Sequence, residues 1–172
     1  MFNKIYYITF FGVILAIYRL IPHPPNFTPI IAFALVGPLL LKNRIYGLSI
    51  PIFAMFISDI VIGFHSYQIV IYLTLISISL LSPIKKSYYQ HGAGALIASL
   101  WFFITTNFAV WIIWDYYPKT FEGLVLCYTM AIPFFQNTIM STFFFTVIIL
   151  LLKDYIQSFG NIAHSLVKRI NT

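Results

Sequence analysis

Charge is what this chain has least of. Charged residues make up 8% of its 172 positions, against about a quarter in ordinary soluble domains, and only four of them are acidic. With 60% hydrophobic residues and a mean hydropathy of +0.91, a soluble globule is excluded. Cysteine is almost absent as well. A single Cys127 rules out an intramolecular disulfide and any cysteine-based metal cluster, and it reads as a small apolar packing residue. There is no phosphate-binding glycine loop and no Ser-His-Asp signature. The net charge of +6 does not point to nucleic acid, because the basic residues sit at the ends of apolar runs, where they set membrane topology.

What is there is a series of apolar runs. They predict an all-α integral membrane protein, a single domain over residues 1–172, with spans at 5–21, 28–41, 46–63, 68–84, 93–114 and 133–152. The run 28–41 is short for a bilayer, and Pro38 adds a break in its hydrogen-bond ladder. His91-Gly92-Ala93-Gly94 reads as the turn into the fifth span. A short extra helix is expected at 121–131, capped by Thr120, ahead of a sixth span begun at Pro133. With six spans, residues 1–154 make the bundle. Lys4, Lys42, Arg44, Lys85, Lys86, Lys153, Lys168 and Arg169 then fall on one side, so both termini are cytoplasmic. The tail 155–172 carries Tyr155, Phe159, Ala163, Leu166 and Ile170 on one face and reads as an amphipathic helix on the inner surface.

Between the first two spans, residues 19–29 hold four of the nine prolines together with Arg19, His23 and Asn26. Proline fixes φ and holds the preceding residue out of the α region, so this loop is stiff and extended. Thr28-Pro29 reads as an N-cap with proline at the first helical position. The topology brings a set of polar and aromatic residues to this outer side. Arg19, His23, Asn26, Thr28, Asp59, His65, Asn107, Trp111, Trp114, Asp115, Tyr117, Gln136 and Asn137 are the candidate substrate-binding residues. Ionisable groups inside a span face a partner or a wet cavity, which applies first to Asp59 and Arg19. Asp59 is expected to anchor the pocket, with either Arg19 or a cationic ligand as its counter-charge. The competing reading makes Arg19–Asp59 a structural ion pair and the tryptophans and tyrosines an interfacial belt.

His23, Asp59 and His65 are metal-ligand types without metal-site spacing, so a metal is left open; no cofactor is expected. The acids favour a cation, the aromatic rings a flat or quaternary ligand, and Arg19 an anion. Gly12 and Ala16 form a small-xxx-small pair that lets another helix approach closely.

Pro22-His23-Pro24-Pro25-Asn26-Phe27-Thr28-Pro29, Ser58-Asp59 with Gly63-Phe64-His65, Asn107-Phe108 with Trp111, and Cys127-Tyr128 with Ala131-Ile132-Pro133-Phe134-Phe135 and Asn137-Thr138 resemble an uncharacterised group of bacterial membrane transport proteins. More broadly, six spans with Leu35-Val36-Gly37-Pro38 before a basic turn look like the substrate-capture (S) subunits of energy-coupling factor transporters. The resemblance implies a non-enzymatic subunit in the bacterial cytoplasmic membrane that captures a vitamin-like molecule or a metal cation at its outer face. It also implies a coupling membrane subunit and ATPases as partners, docked at Gly12 and Ala16, although these depart from that family's alanine pair. A stand-alone secondary transporter, a membrane enzyme using the His/Asp/Asn cluster and a purely structural subunit are the rival readings.

Overall fold

The computed structural model describes the backbone of residues 2–82 and 87–170 and the side chains of residues 4–82 and 87–159. Among the described residues the chain is all helical: α1 (Phe2–Leu20), α2 (Ile30–Leu40), α3 (Arg44–Ile62), α4 (Gln68–Leu81), α5 (Tyr88–Ile113) and α6 (Phe121–Ile170). Three stretches, Arg44–Ile62, Tyr88–Ile113 and Phe121–Phe159, are long and apolar enough to cross a membrane. The helices α2 and α4 are apolar but shorter.

The shortest helix lies at the centre. Every residue from Ile30 to Pro38 is buried, and α2 packs against α3, α4, α5 and α6. A helix apolar on all sides has no face to give to water, so it is stable only when wrapped. Around it α1 packs on α3, α3 on α4, α4 on α5 and α5 on α6. Phe11 of α1 reaches the central helix at Phe33, with ring centroids 5.4 Å apart.

Pro38 has no N–H to give to the carbonyl four residues back, which leaves Ala34 O short of a donor. The Ser79 hydroxyl of α4 supplies it at 2.8 Å, and the Ser82 hydroxyl donates to Leu35 O. The helix then stops in a tight turn. Lys42 takes a left-handed φ of 50°, while Asn43 N–H donates to Pro38 O at 3.1 Å and Lys42 N–H to Leu39 O at 3.4 Å. The Asn43 side chain accepts from Tyr46 N–H at 3.1 Å and so caps α3. The returning helix crosses α2 at Gly37 and Gly47, where a Cβ on Gly37 would stand 2.7 Å from Gly47 O. Two side-chain-free positions are what this crossing requires.

Several expected boundaries move. Helix α2 starts at Ile30 with Pro29, not Thr28, in the cap position, and no side chain caps it. The turn expected at His91–Gly94 is helical. Ser87 and Gln90 form a reciprocal capping box that starts α5 at Tyr88, and Gly94 meets Leu35 of α2. The short helix at 121–131, the span begun at Pro133 and the tail from 155 are one continuous helix, α6. Packing on α5 holds it together on both sides of Pro133: Tyr128 OH donates to Ile104 O at 2.7 Å, and Phe135 stacks on Phe103 at 4.4 Å. Thr120 does cap this helix, its hydroxyl accepting from Gly123 N–H at 3.2 Å. The Lys85–Lys86 turn and the tail's apolar side chains beyond Phe159 lie outside the described residues.

Candidate functional site

The site is built at the end of the bundle where α1 runs into the proline-rich loop. Asp59, near the end of α3, is 1% exposed and is held by three donors from two other helices. Arg19 Nη1 reaches its Oδ1 at 2.7 Å; Tyr72 OH donates to Oδ2 at 2.8 Å, and Gln68 Nε2 donates to the same oxygen. Gln68 and Tyr72 are one turn apart on α4 and bond each other at 3.0 Å. A carboxylate so engaged is satisfied. Of the two partners expected for Asp59, the structure gives Arg19. Asp59 borders neither of two neighbouring cavities, whereas Arg19 borders one of them.

Arg19 stands between this cluster and open space. Its Nη1 also donates to the Ser58 hydroxyl and, at 3.4 Å, to Met55 O. Among the described residues, every hydrogen bond of this guanidinium leaves through Nη1. The same side chain lines a cavity of about 270 Å³, together with His23, Asn26, Thr28 and Thr138. A second lobe of about 270 Å³ adjoins it, walled by Tyr67, Thr106, Asn107 and the rings of Phe103 and Phe134. Asn26, Ile71, Phe102 and Thr138 border both lobes.

The loop over the cavity is a built turn. Phe27 N–H donates to Pro24 O at 2.9 Å, with Pro25 and Asn26 at the two central positions. Asn26 has φ 62°, which is the conformation the third residue of a type II turn needs and which asparagine tolerates. Helix α6 pins this turn. Asn137 Nδ2 donates to Pro25 O at 2.9 Å, and the Ser141 hydroxyl donates to Asn26 O at 3.3 Å. His23 is fixed through Nδ1 to Ile21 O at 2.6 Å and packs on Tyr18.

The chain belongs to the family of unknown function DUF6580. That family matches residues 1–160, a stretch that contains the whole proline loop and every residue bordering the two lobes. Among curated proteins and among solved structures, none matches the chain.

In this DUF6580 chain the remaining candidates divide. Asn107 lines the second lobe; its Nδ2 donates to Phe103 O at 2.8 Å, which leaves its side-chain oxygen as an acceptor. His65 and Trp114 border neither lobe but contact Tyr67, His65 tilted against its ring at 4.2 Å and Trp114 edge-on at 5.0 Å. Burial holds the His65 imidazole below its ordinary pKa, against a smaller upward pull from Asp59, and burial followed by Tyr116 raises the Tyr67 phenol. Both rings are therefore uncharged at neutral pH. Trp111 and Asp115 serve the α5–α6 connection instead. Trp111 Nε1 donates to Pro118 O at 2.9 Å, while Lys119 bridges Trp111 O, Trp114 O and, at 3.6 Å, the Asp115 carboxylate. A lysine over the last carbonyls of α5 also answers that helix's dipole. Tyr117 and the exposed Gln136 border neither lobe.

No group of three or more His, Cys, Asp or Glu comes together among the described residues to hold a metal ion. Gly12 and Ala16 are buried, Gly12 directly beneath Phe53 of α3, so the pair is used up in the α1–α3 crossing and offers no face to a partner. The sequence reading missed Thr106 and Thr138 as lining residues and Gln68 and Tyr72 as partners of Asp59. Hydroxyls scattered in apolar helices carry little signal. Gln68 and Tyr72 did carry one: two polar side chains four apart at the start of an apolar helix.

Proposed function

We propose that this chain is a six-span membrane protein that binds a small molecule in the two-lobed cavity and serves as the substrate-capture subunit of an uptake transporter. The observation that supports this most is the cavity itself. Polar side chains from the loop and from α1, α5 and α6 converge on a half-open space at the end of an otherwise apolar bundle, where uncompensated polarity is costly. The orientation follows from charge: Lys4, Lys42, Arg44 and Lys153 lie towards the end opposite the proline loop, so that end faces the bacterial cytoplasm, together with both termini. The cavity then opens outward. Helix α2, about 16 Å long at 1.5 Å per residue, spans through its flanking turns and touches protein rather than lipid. The sequence has no nucleotide-binding loop, so active uptake needs either an ion gradient or, in the proposed reading, a coupling membrane subunit and ATPases, docked elsewhere than at the buried Gly12 and Ala16.

Native mass spectrometry of the chain purified in mild detergent tests this reading. A small molecule held in stoichiometric amount, and lost on Thr138→Trp, which fills the wall shared by the two lobes, is the expected result. A preparation with no bound small molecule, and no saturable binding from a metabolite extract, would count against it. Accumulation against a gradient by the purified chain alone in liposomes would replace it with a secondary transporter.

A further inference from the structure

The unused edge of Arg19 narrows the chemistry of the ligand. All of this guanidinium's protein bonds leave from Nη1, towards Met55, Ser58 and Asp59 on α3. Its Nε and Nη2 donate to no described residue, although its side chain is only 17% exposed and borders the first lobe. These two nitrogens form a planar fork that matches a pair of acceptor oxygens. The fork is held in advance, because the Nη1 bonds fix the plane of the group and so cut the ordering cost of binding.

The rest of the cavity argues the same way. None of the four acidic side chains borders either lobe: Asp59 is sealed by Arg19, Gln68 and Tyr72, and Asp115, Glu122 and Asp154 lie elsewhere. A cation entering the cavity would find no counter-charge. Donor groups on Asn26 and Thr28 lie beside Arg19 and are unspent among the described residues, whereas the Thr138 hydroxyl donates to Phe134 O; donors are what an anion needs to offset its lost hydration. Beyond the shared wall the second lobe is mainly ring and aliphatic surface.

Resting on the binding reading above, we infer that the ligand is a small organic carboxylate. Its carboxylate takes the Nε–Nη2 edge of Arg19, and its apolar or aromatic body extends past Asn26 and Thr138 into the second lobe. Asp59 acts as a positioning residue that holds the guanidinium and does not touch the ligand.

The test uses the full chain in mild detergent, freed of co-purified molecules by exchange. Binding isotherms and thermal shifts are measured for benzoate, phenylacetate and indole-3-acetate, their carboxamides, and the matched amines. The carboxylates are expected to bind about 10-fold or more tightly than the carboxamides, as charge-assisted hydrogen bonds imply, and the amines not at all. Arg19→Lys keeps a cation beside Asp59 and removes the fork, so it should erase the carboxylate preference. Should that variant fail to fold, the preference in the native chain decides alone. Equal or tighter binding of amides or amines overturns the carboxylate assignment and leaves the binding function standing. Saturable binding by none of these probes also overturns it, and only if the freshly purified chain holds no small molecule does the binding function fall too.

Discussion

The Asp59 cluster and the two-lobed cavity are neighbours that share Arg19, yet they treat polarity in opposite ways. Around Asp59 each acceptor oxygen has a donor, and the donors come from α1 and α4. Around the cavity, the side chains of Asn26 and Thr28 make no hydrogen bond to another described residue, and Asn107 keeps its side-chain oxygen free. The first arrangement fastens three helices; the second leaves polar side-chain groups without a partner among the described residues. Polar residues in an apolar bundle are thus not uniformly signs of a site. What separates the two kinds is whether their hydrogen bonds are already spent.

The comparison breaks most readily at Asp59. Asp59→Asn leaves the Arg19 guanidinium largely buried without its counter-charge, and removing one side of such a pair costs about 3 to 5 kcal/mol. Thermal or denaturant unfolding in detergent measures it. A variant as stable as the native chain would show that the cluster is not a fastening at all. Ser79→Ala probes the same kind of spent polarity elsewhere. It strips the Ala34 carbonyl of the donor that stands in for Pro38, with an expected loss of about 1 to 3 kcal/mol and no change in cavity shape. Ligand retention in that variant should follow stability alone.

A smaller effect comes from His65, which stands between the two regions. Its pKa is lowered in the folded chain, first by burial, so the folded state takes up its proton at lower pH than the unfolded state, whose ordinary value is 6.5. Stability from this group is therefore present above pH 6.5 and is lost as pH falls below it towards the folded value. His65 Nδ1 is buried without a partner, so a proton placed there has no acceptor. The melting temperature should decline from pH 7.5 to pH 5.5, and His65→Gln should flatten that decline. An unchanged slope would assign the acid sensitivity to other groups.

The difference between the regions also explains what was legible beforehand. Helices read well, because apolar runs between Gly, Pro and Lys have few alternatives. The Arg19–Asp59 pairing was one of two open partners for the only carboxylate in a span, and a choice between them needed the distance. The centrality of α2 was hidden: the 14-residue stretch 28–41 is short for a bilayer, but only its neighbours reveal that lipid does not wrap it. The break expected near Pro133 failed because one missing N–H is a local defect, whereas Tyr128 and Phe135 pack α6 onto α5 on either side. Trp111, Trp114 and Asp115 read as site residues for their chemistry and their side of the chain. In the structure Trp111 donates to Pro118 O, Trp114 packs edge-on against Tyr67 and Asp115 lies 3.6 Å from Lys119.

The least disruptive test falls at Asn26, one of the four residues that border both lobes. Its φ of 62° lies in the region where glycine is at ease and a side chain is not. Its backbone carbonyl carries the loop's hold on Ser141, and Asn137 grips the carbonyl of Pro25, so neither tether needs the Asn26 side chain. Asn26→Gly should therefore keep the turn, with stability changed by less than about 1 kcal/mol, while removing a polar group from the cavity wall. Asn26→Ala removes the same group but places a Cβ in a left-handed conformation that alanine resists, at a cost of about 1 to 2 kcal/mol. If the wall is a binding surface, both variants lose affinity for the bound molecule by a similar factor although their stabilities differ. If affinity instead tracks stability across the pair, the Asn26 side chain matters only to the fold of the loop, and the contrast between spent and unspent polarity fails at the residue where it should be clearest.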